Sequence, residues 1–212
     1  MDNHRFLSNR REAGQQLADK LSAYANSRAL VLAVPRGGIP VACEIAKALH
    51  LSLDVVLVKK IGHPQNKEYA VGAVSTDSSF INPHEIVDSG YVERETNRLQ
   101  QMLKEKYIYY ESILNERPLK DRVVILVDDG MATGSTMLAA IRLLRQRQPL
   151  RIVVAVPVMN ASLIPFFNQQ ADALIYLLKP LSFSGVGAYY HDFHSVSDEE
   201  ALALLQAARS NE

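Results

Sequence analysis

Val123-Val124-Ile125-Leu126-Val127-Asp128-Asp129-Gly130-Met131-Ala132-Thr133-Gly134-Ser135-Thr136 is the stretch on which the reading of this chain turns. Its unbroken aliphatic run suits a parallel strand buried on both faces. Asp128 and Asp129 then leave the carboxyl end of that strand, where open α/β sheets bind ligands. The small-residue turn Ala132-Thr133-Gly134-Ser135-Thr136 opens a helix, so its backbone N–H groups and the positive end of the helix dipole suit a phosphate. Gly134 lets the backbone approach closely, and the hydroxyls of Thr133, Ser135 and Thr136 can donate to phosphate oxygens. The two acids repel phosphate; they suit sugar hydroxyls or a hydrated divalent cation.

Two other phosphate loops do not fit. Walker A requires a lysine after its second glycine, where Ser135 stands, and no G-x-G-x-x-G run occurs. The stretch resembles the signature of the type I phosphoribosyltransferases: apolar residues, an acid pair, a short variable step, then Thr-Gly-x-Thr. Gly130 departs mildly from it, because many members carry a larger apolar residue after the acids.

The 212 residues, 48% of them hydrophobic, allow one well-buried core and hardly two. A single domain over residues 1–212 is expected, with a core at about 25–180 and a hood at about 181–212 that includes the N-terminal helix. Lys plus Arg and Asp plus Glu both total 23, so zero net charge argues against global attraction to nucleic acid or anionic membrane. Small-molecule chemistry is the better expectation. The lone Cys43 sits in an apolar helical run, reads as a core thiol and fits a reducing compartment. No stretch approaches the ~20 apolar residues of a membrane span, and Met1 to Arg11 is polar, so a cytoplasmic location is expected.

Outward from the central stretch, Ala13, Leu17, Leu21 and Tyr24 recur at helical spacing, and Asn9 with Glu12 forms an N-terminal cap. Arg10 and Arg11 read as a solvated pair, although members of the family this chain resembles often carry an Asn/Asp-Arg pair here. Ala29 to Val34 is a buried strand, followed by Pro35-Arg36-Gly37-Gly38-Ile39-Pro40 and a helix through Leu49. Two glycines beside an arginine expose amides and a permanent cation, which suits a polyanion; an ordinary loop with a surface arginine is the other reading. Asp54 to Val58 reads as a strand ending in Lys59-Lys60, and the polar segment Gly62 to Glu68 as a lid-like loop. Ala70 to Ser75 and Ser79 to Ile81 suit a hairpin. Tyr91 to Leu114 reads as a long helix covering the sheet, whose Tyr107-Ile108-Tyr109-Tyr110 run suits either core packing or a subunit contact.

Strands at Arg151 to Val158 and Ala173 to Leu178 enclose a helix at Ala161 to Gln170. This alternation predicts a doubly wound, mainly parallel α/β sheet with helices on both faces. Phe183 to Phe193 fits no regular period and reads as a ligand-shaping loop. His191 and His194 are too few for a closed metal site. Ser197 with Glu200 caps a last helix.

The family resemblance runs from Arg36 to Asp192 and implies more than these patterns do. It implies a homodimeric enzyme that uses 5-phosphoribosyl 1-pyrophosphate and Mg²⁺. Asp128 and Asp129 would take the ribose hydroxyls, and would reach the metal through water or through those hydroxyls. Ala132, Thr133, Gly134, Ser135 and Thr136 would take the 5′-phosphate, and Arg36, Gly37 and Gly38 the pyrophosphate, with Lys60 and then Lys59 closing over it; a solvated basic pair is the other reading of the two lysines. Phe183 would stack on the base, and Asp192 would approach the metal-pyrophosphate. Ser182 stands where purine members carry a lysine that reads a 6-oxo group, and the step to Asp192 is one residue longer. The acceptor is therefore a nitrogenous base, with purine one candidate. A regulator that binds the donor or a nucleotide, and a silent sugar-phosphate binding module, are the alternatives; the zero net charge counts against control through RNA or DNA.

Overall fold

The computed structural model describes residues 6–82, 84, 86–111 and 117–209. They fall into two compact units, one built from Met1–Val56, Asn115–Thr133 and Pro149–Glu212, the other from Leu57–Leu114 and Gly134–Gln148.

The first unit carries the parallel sheet. Its strands are β1 (Leu30–Ala33), β2 (Ser52–Val55), β6 (Val123–Val127), β7 (Arg151–Val158) and β8 (Ala173–Leu178), in the spatial order β2-β1-β6-β7-β8. Every pairing is parallel, with Leu30 opposite Val124 and Val127 opposite Ala155. Val124 to Val127 and Ile152 to Val156 are fully buried, which is why these runs are aliphatic throughout rather than alternating. Helices α1 (Arg10–Lys20) and α2 (Gly38–Leu49) pack on each other and on the sheet, and α6 (Asp198–Arg209) packs on α2.

The expected caps are present. The Glu12 amide donates to Asn9 Oδ1 at 3.0 Å, and the Glu200 amide to Ser197 Oγ at 3.1 Å. Cys43 is buried; desolvation pushes its thiol up to about 12, so it is a core thiol. The Ala161 to Gln170 helix is shorter than expected: a single 3-10 turn over Ala161–Leu163 precedes α5 (Ile164–Gln170).

The chain runs out from β1 to the edge at β2 and later returns through β6 on the opposite side of β1. The sheet therefore has its topological switch point between β1 and β6, where ligand crevices form in open α/β sheets. Two loops leave the sheet there, the Pro35–Gly37 loop and the acid pair.

The second unit holds an antiparallel sheet of β3 (Lys59–His63), β4 (Asn66–Val74) and β5 (Ser79–Ile81), with α3 (Ser89–Tyr110) and α4 (Ser135–Gln146) packed on it. Several expectations are corrected here. The strand expected at Asp54 to Val58 is Ser52–Val55, and Lys59 and Lys60 begin a separate strand. The polar segment expected to be a lid-like loop is the tip of the β3–β4 hairpin, where Gly62 and His63 sit at register shifts. Such irregularity removes the clean alternation by which a strand is recognised. Helix α3 packs on this sheet rather than on the parallel one; residues 112–114, its expected end, lie outside the described residues. Of its tyrosine-rich run, Tyr110 is core while Ile108 and Tyr109 are exposed.

Gly38 shows how tightly the switch point is packed. A β-carbon there would lie 2.6 Å from the Val127 carbonyl oxygen and 2.9 Å from the Asp128 Cα. Both neighbours are backbone, so neither can swing away. Gly38→Ala should therefore destabilise the fold by about 1–3 kcal/mol through overpacking. A denaturant midpoint equal to that of wild type would show that the two segments are not pressed together.

Candidate active site

Asp128 and Asp129 are held between two fixed points. Strand β6 pairs with β7 up to Val127, and pairing resumes at Met131, whose amide donates to the Val158 carbonyl at 2.8 Å while its own carbonyl accepts from the Asn160 amide at 3.0 Å. Asp128 to Gly130 are squeezed out between them. The Tyr190 hydroxyl donates to the Asp129 carbonyl at 2.7 Å and fixes the excursion from the C-terminal side.

The pair lies less open than its position at a strand end suggests. Burial pushes the Asp128 carboxyl well above the usual carboxylate range, and the adjacent Asp129 charge adds to the shift. Burial raises Asp129 as well, against the opposing pull of Arg10. Arg10 corrects the solvated-pair reading: it is 7% exposed and reaches Asp129 Oδ2 through Nε at 2.9 Å and through a terminal nitrogen at 2.8 Å. Arg11 does lie at the surface, 3.0 Å from Glu44 Oε1.

The loop after β1 lies against the same carboxylates. The Pro35–Arg36 peptide is cis. A β-carbon on Gly37 would collide with the Asp129 carboxylate, so the absent side chain is what lets that carboxylate lie where it does. Gly38 does not present an exposed amide as expected: its N–H donates to the Val34 carbonyl at 3.0 Å, inside the turn that starts α2. Arg36 forms a half-exposed pair with Asp198 at 3.3 Å, at the first residue of α6.

The turn expected to open a helix does so, at the start of α4. Gly134 caps α4 with φ 73° and ψ 0°, in the left-handed region that L side chains rarely enter. Ala132, Thr133 and Thr136 are exposed and Ser135 is half-buried.

The hood begins with Phe183, half-buried beside Tyr189 with ring centroids 5.8 Å apart. The Tyr189 hydroxyl donates to the Ser182 carbonyl at 2.6 Å. Phe183, Val186 and Phe193 pack on a cluster of Leu7, Ala13, Val158, Tyr189 and Tyr190, which brings the N-terminal segment and this loop into contact. Val186 explains the departure at Gly130: any side chain there would collide with the Val186 methyl groups. Asp192 is exposed and accepts from His194, Nδ1 to Oδ1 at 3.0 Å, while His194 Nε2 lies 3.3 Å from Glu200 Oε1. Lys59 and Lys60 stand on β3, Lys59 exposed and Lys60 opposite Ala73. Among the described residues no group of three or more His, Cys, Asp or Glu could by itself hold a metal ion.

Arg10 and Tyr190 were invisible to sequence reasoning as site residues. Both meet Asp129 from far away along the chain, so no local pattern marks them; the resemblance implies Val186-Gly187 as part of the hood segment, but not that Val186 fills the space at Gly130. The one available hint was an arginine beside a helix cap, which is common on any surface.

An acid pair at the switch point of a parallel sheet, followed in the chain by a glycine-capped helix, is the arrangement of the type I phosphoribosyltransferase fold. Residues 2–165 match the family model described as the phosphoribosyl transferase domain, and the chain belongs to that family. It is 33% identical over 209 residues to a Mycobacterium tuberculosis protein provisionally named a phosphoribosyl transferase, a match covering 96% of this chain and 47% of the relative. The chain thus spans about half the length of the curated relatives it matches. The crystal structure of the protein TT1426 from Thermus thermophilus is 40% identical, with a TM-score of 0.90, covering 95% of this chain and 98% of that one.

His194 yields a pH-dependent prediction. Its hydrogen bonds to Asp192 and Glu200 raise its pKa, and the same contact lowers that of Asp192. The His194 contribution to stability is complete below the ordinary value of about 6.5 and is lost as pH rises through the raised folded value. The Asp192 contribution is present above its unfolded value and lost on acidification through the lowered one. An NMR titration should place the His194 midpoint above that of an unstructured histidine; a midpoint at or below it would show that the two carboxylates do not engage the ring.

Proposed function

We propose that this chain is a phosphoribosyltransferase that transfers the 5-phosphoribosyl group of 5-phosphoribosyl 1-pyrophosphate to a nitrogen of a heterocyclic base. The ribose C1–O bond to pyrophosphate breaks, its electron pair leaves with pyrophosphate, and the base nitrogen bonds to C1. The observation that carries this reading is the acid pair at the switch point of a chain that belongs to the phosphoribosyl transferase family.

In this reading Asp128 and Asp129 meet the ribose hydroxyls, and Ala132 to Thr136 take the 5′-phosphate on backbone amides and hydroxyls. Arg36 supplies a cation for the pyrophosphate, beside the backbone of Gly37; Gly38 contributes through close packing. Lys60, with Lys59 second, would neutralise leaving-group charge from the β3 strand. Two carboxylates at one strand end fit a Mg²⁺ ion that keeps several waters and arrives with substrate phosphates. When bound, it would offset charge on the pyrophosphate. Catalysis then rests on placement and charge rather than covalent chemistry.

Phe183 would stack on the base, and Asp192 would stand at the hood side of the pyrophosphate. With Ser182 in place of a lysine, a 6-oxopurine would lose a charged donor. The two compact units would act as one domain, as a homodimer in the cytoplasm; no described helix is long and apolar enough to cross a membrane.

The test is pyrophosphate release from the donor with Mg²⁺ and a panel of bases. Base-dependent release is expected, and donor binding without release for any base would favour the regulatory alternative. Gly134→Val forces a β-branched side chain into a left-handed turn at the start of α4. Donor affinity measured by calorimetry should fall below detection in a variant that still folds. Unchanged affinity would place the phosphate elsewhere.

A further inference from the structure

The amino end of the parallel sheet, opposite the acid pair, carries a second concentration of charge. Arg28 precedes β1, Arg117 and Arg122 precede β6, and Ser52 begins β2. Arg122 donates from Nε to the Arg28 carbonyl at 2.9 Å, and a terminal nitrogen of Arg117 donates to Ser52 Oγ at 2.5 Å. The guanidinium groups are close enough to repel: burial lowers the Arg122 pKa, and the charges of Arg117 and then Arg28 lower it further. Cations gathered in this way favour an anion among them.

Beside Arg117 lies a cavity of about 530 Å³, within the ~300–1,000 Å³ typical of small-molecule sites. Lys47 and His50, at the end of α2, line it with Arg117 and Ser52, and Leu51 and Leu53 add apolar surface. No acid is among the described residues that line it. The carboxyl end of α2 supplies only about half a negative charge, which cannot balance Lys47 and Arg117 together.

We infer that this cavity is a second binding site, for a nucleoside phosphate: Lys47, Arg117 and the Ser52 hydroxyl take the phosphate groups, with His50 beside them, and Leu51 and Leu53 give the nucleoside its apolar surface. Arginine and lysine supply charge-assisted donors to phosphate oxygens, and the serine hydroxyl a neutral one. A bare phosphate ion would use the cations but leave most of the volume and the apolar lining to water. The site is separate from the proposed donor crevice, since Val123 and Asp128 stand at opposite ends of β6, roughly 16 Å apart at ~3.3 Å per residue. A ligand here therefore does not compete with the donor for the carboxyl ends of the strands.

Residue-resolved NMR titration of the full chain with ATP, adenosine and inorganic phosphate tests this and separates the two ends of the sheet. ATP should give saturable shifts at the amides of residues 46–53 and 119–123, and adenosine and inorganic phosphate should each bind there more weakly. Arg117→Gln should weaken the ATP response at those amides about tenfold, the loss of one charged donor, and leave any response at residues 128–133 unchanged. Lys47→Gln, which alters an exposed side chain, should weaken it too and carries the comparison should Arg117→Gln fail to fold. Shifts confined to residues 128–133, shifts at 46–53 that never saturate, or saturable shifts that neither substitution alters would overturn the site. Inorganic phosphate binding as tightly as ATP would overturn the nucleoside.

Discussion

The contact between the Gly37–Gly38 backbone and the end of β6 is the constraint on which the rest of the candidate site depends. Strands β1 and β6 are neighbours in the sheet, so the loops that leave them must share the crevice between. They share it at van der Waals range: Gly38 lies against the Val127 carbonyl and the Asp128 Cα, and Gly37 against the Asp129 carboxylate. Neither glycine is there mainly for a positive φ. Each is there because a side chain has no room, and the acid pair takes its place and its burial from that lack of room.

From this packing follows the electrostatics. Both carboxylates suffer desolvation, and the Asp129 charge raises Asp128 further, a cost that a folded protein meets with a counter-charge. Arg10 is that counter-charge, and it binds only one member of the pair. Its remaining contacts run to the hood, so the charge that stabilises the strand end also organises the segment in which Phe183, Asp192 and His194 lie. The constraint on backbone spacing, the unequal acids and the ordered hood are consequences of one arrangement.

Much of this was legible in the sequence where the cause is local. The aliphatic run at Val123–Val127 announces a buried parallel strand, the Ala132 to Thr136 turn announces the start of α4, and Asn9 with Glu12 and Ser197 with Glu200 announce their caps. Where the cause is distant, the pattern is silent. Arg10 looks like any surface arginine until Asp129 is brought beside it, and Gly130 looks like a departure until Val186 is seen to fill its space. The β3–β4 hairpin was hidden for a different reason: its register shifts break the alternation, and its polar composition mimics a loop.

The central claim is that the ends of β1 and β6 receive the phosphoribosyl donor. Hydrogen–deuterium exchange with and without 5-phosphoribosyl 1-pyrophosphate and Mg²⁺ tests it without any substitution. The account predicts slower exchange on donor addition at residues 34–38 and 128–136, with β7 and α5 unchanged. Protection confined to other segments, or no protection at donor concentrations that saturate binding, would contradict it.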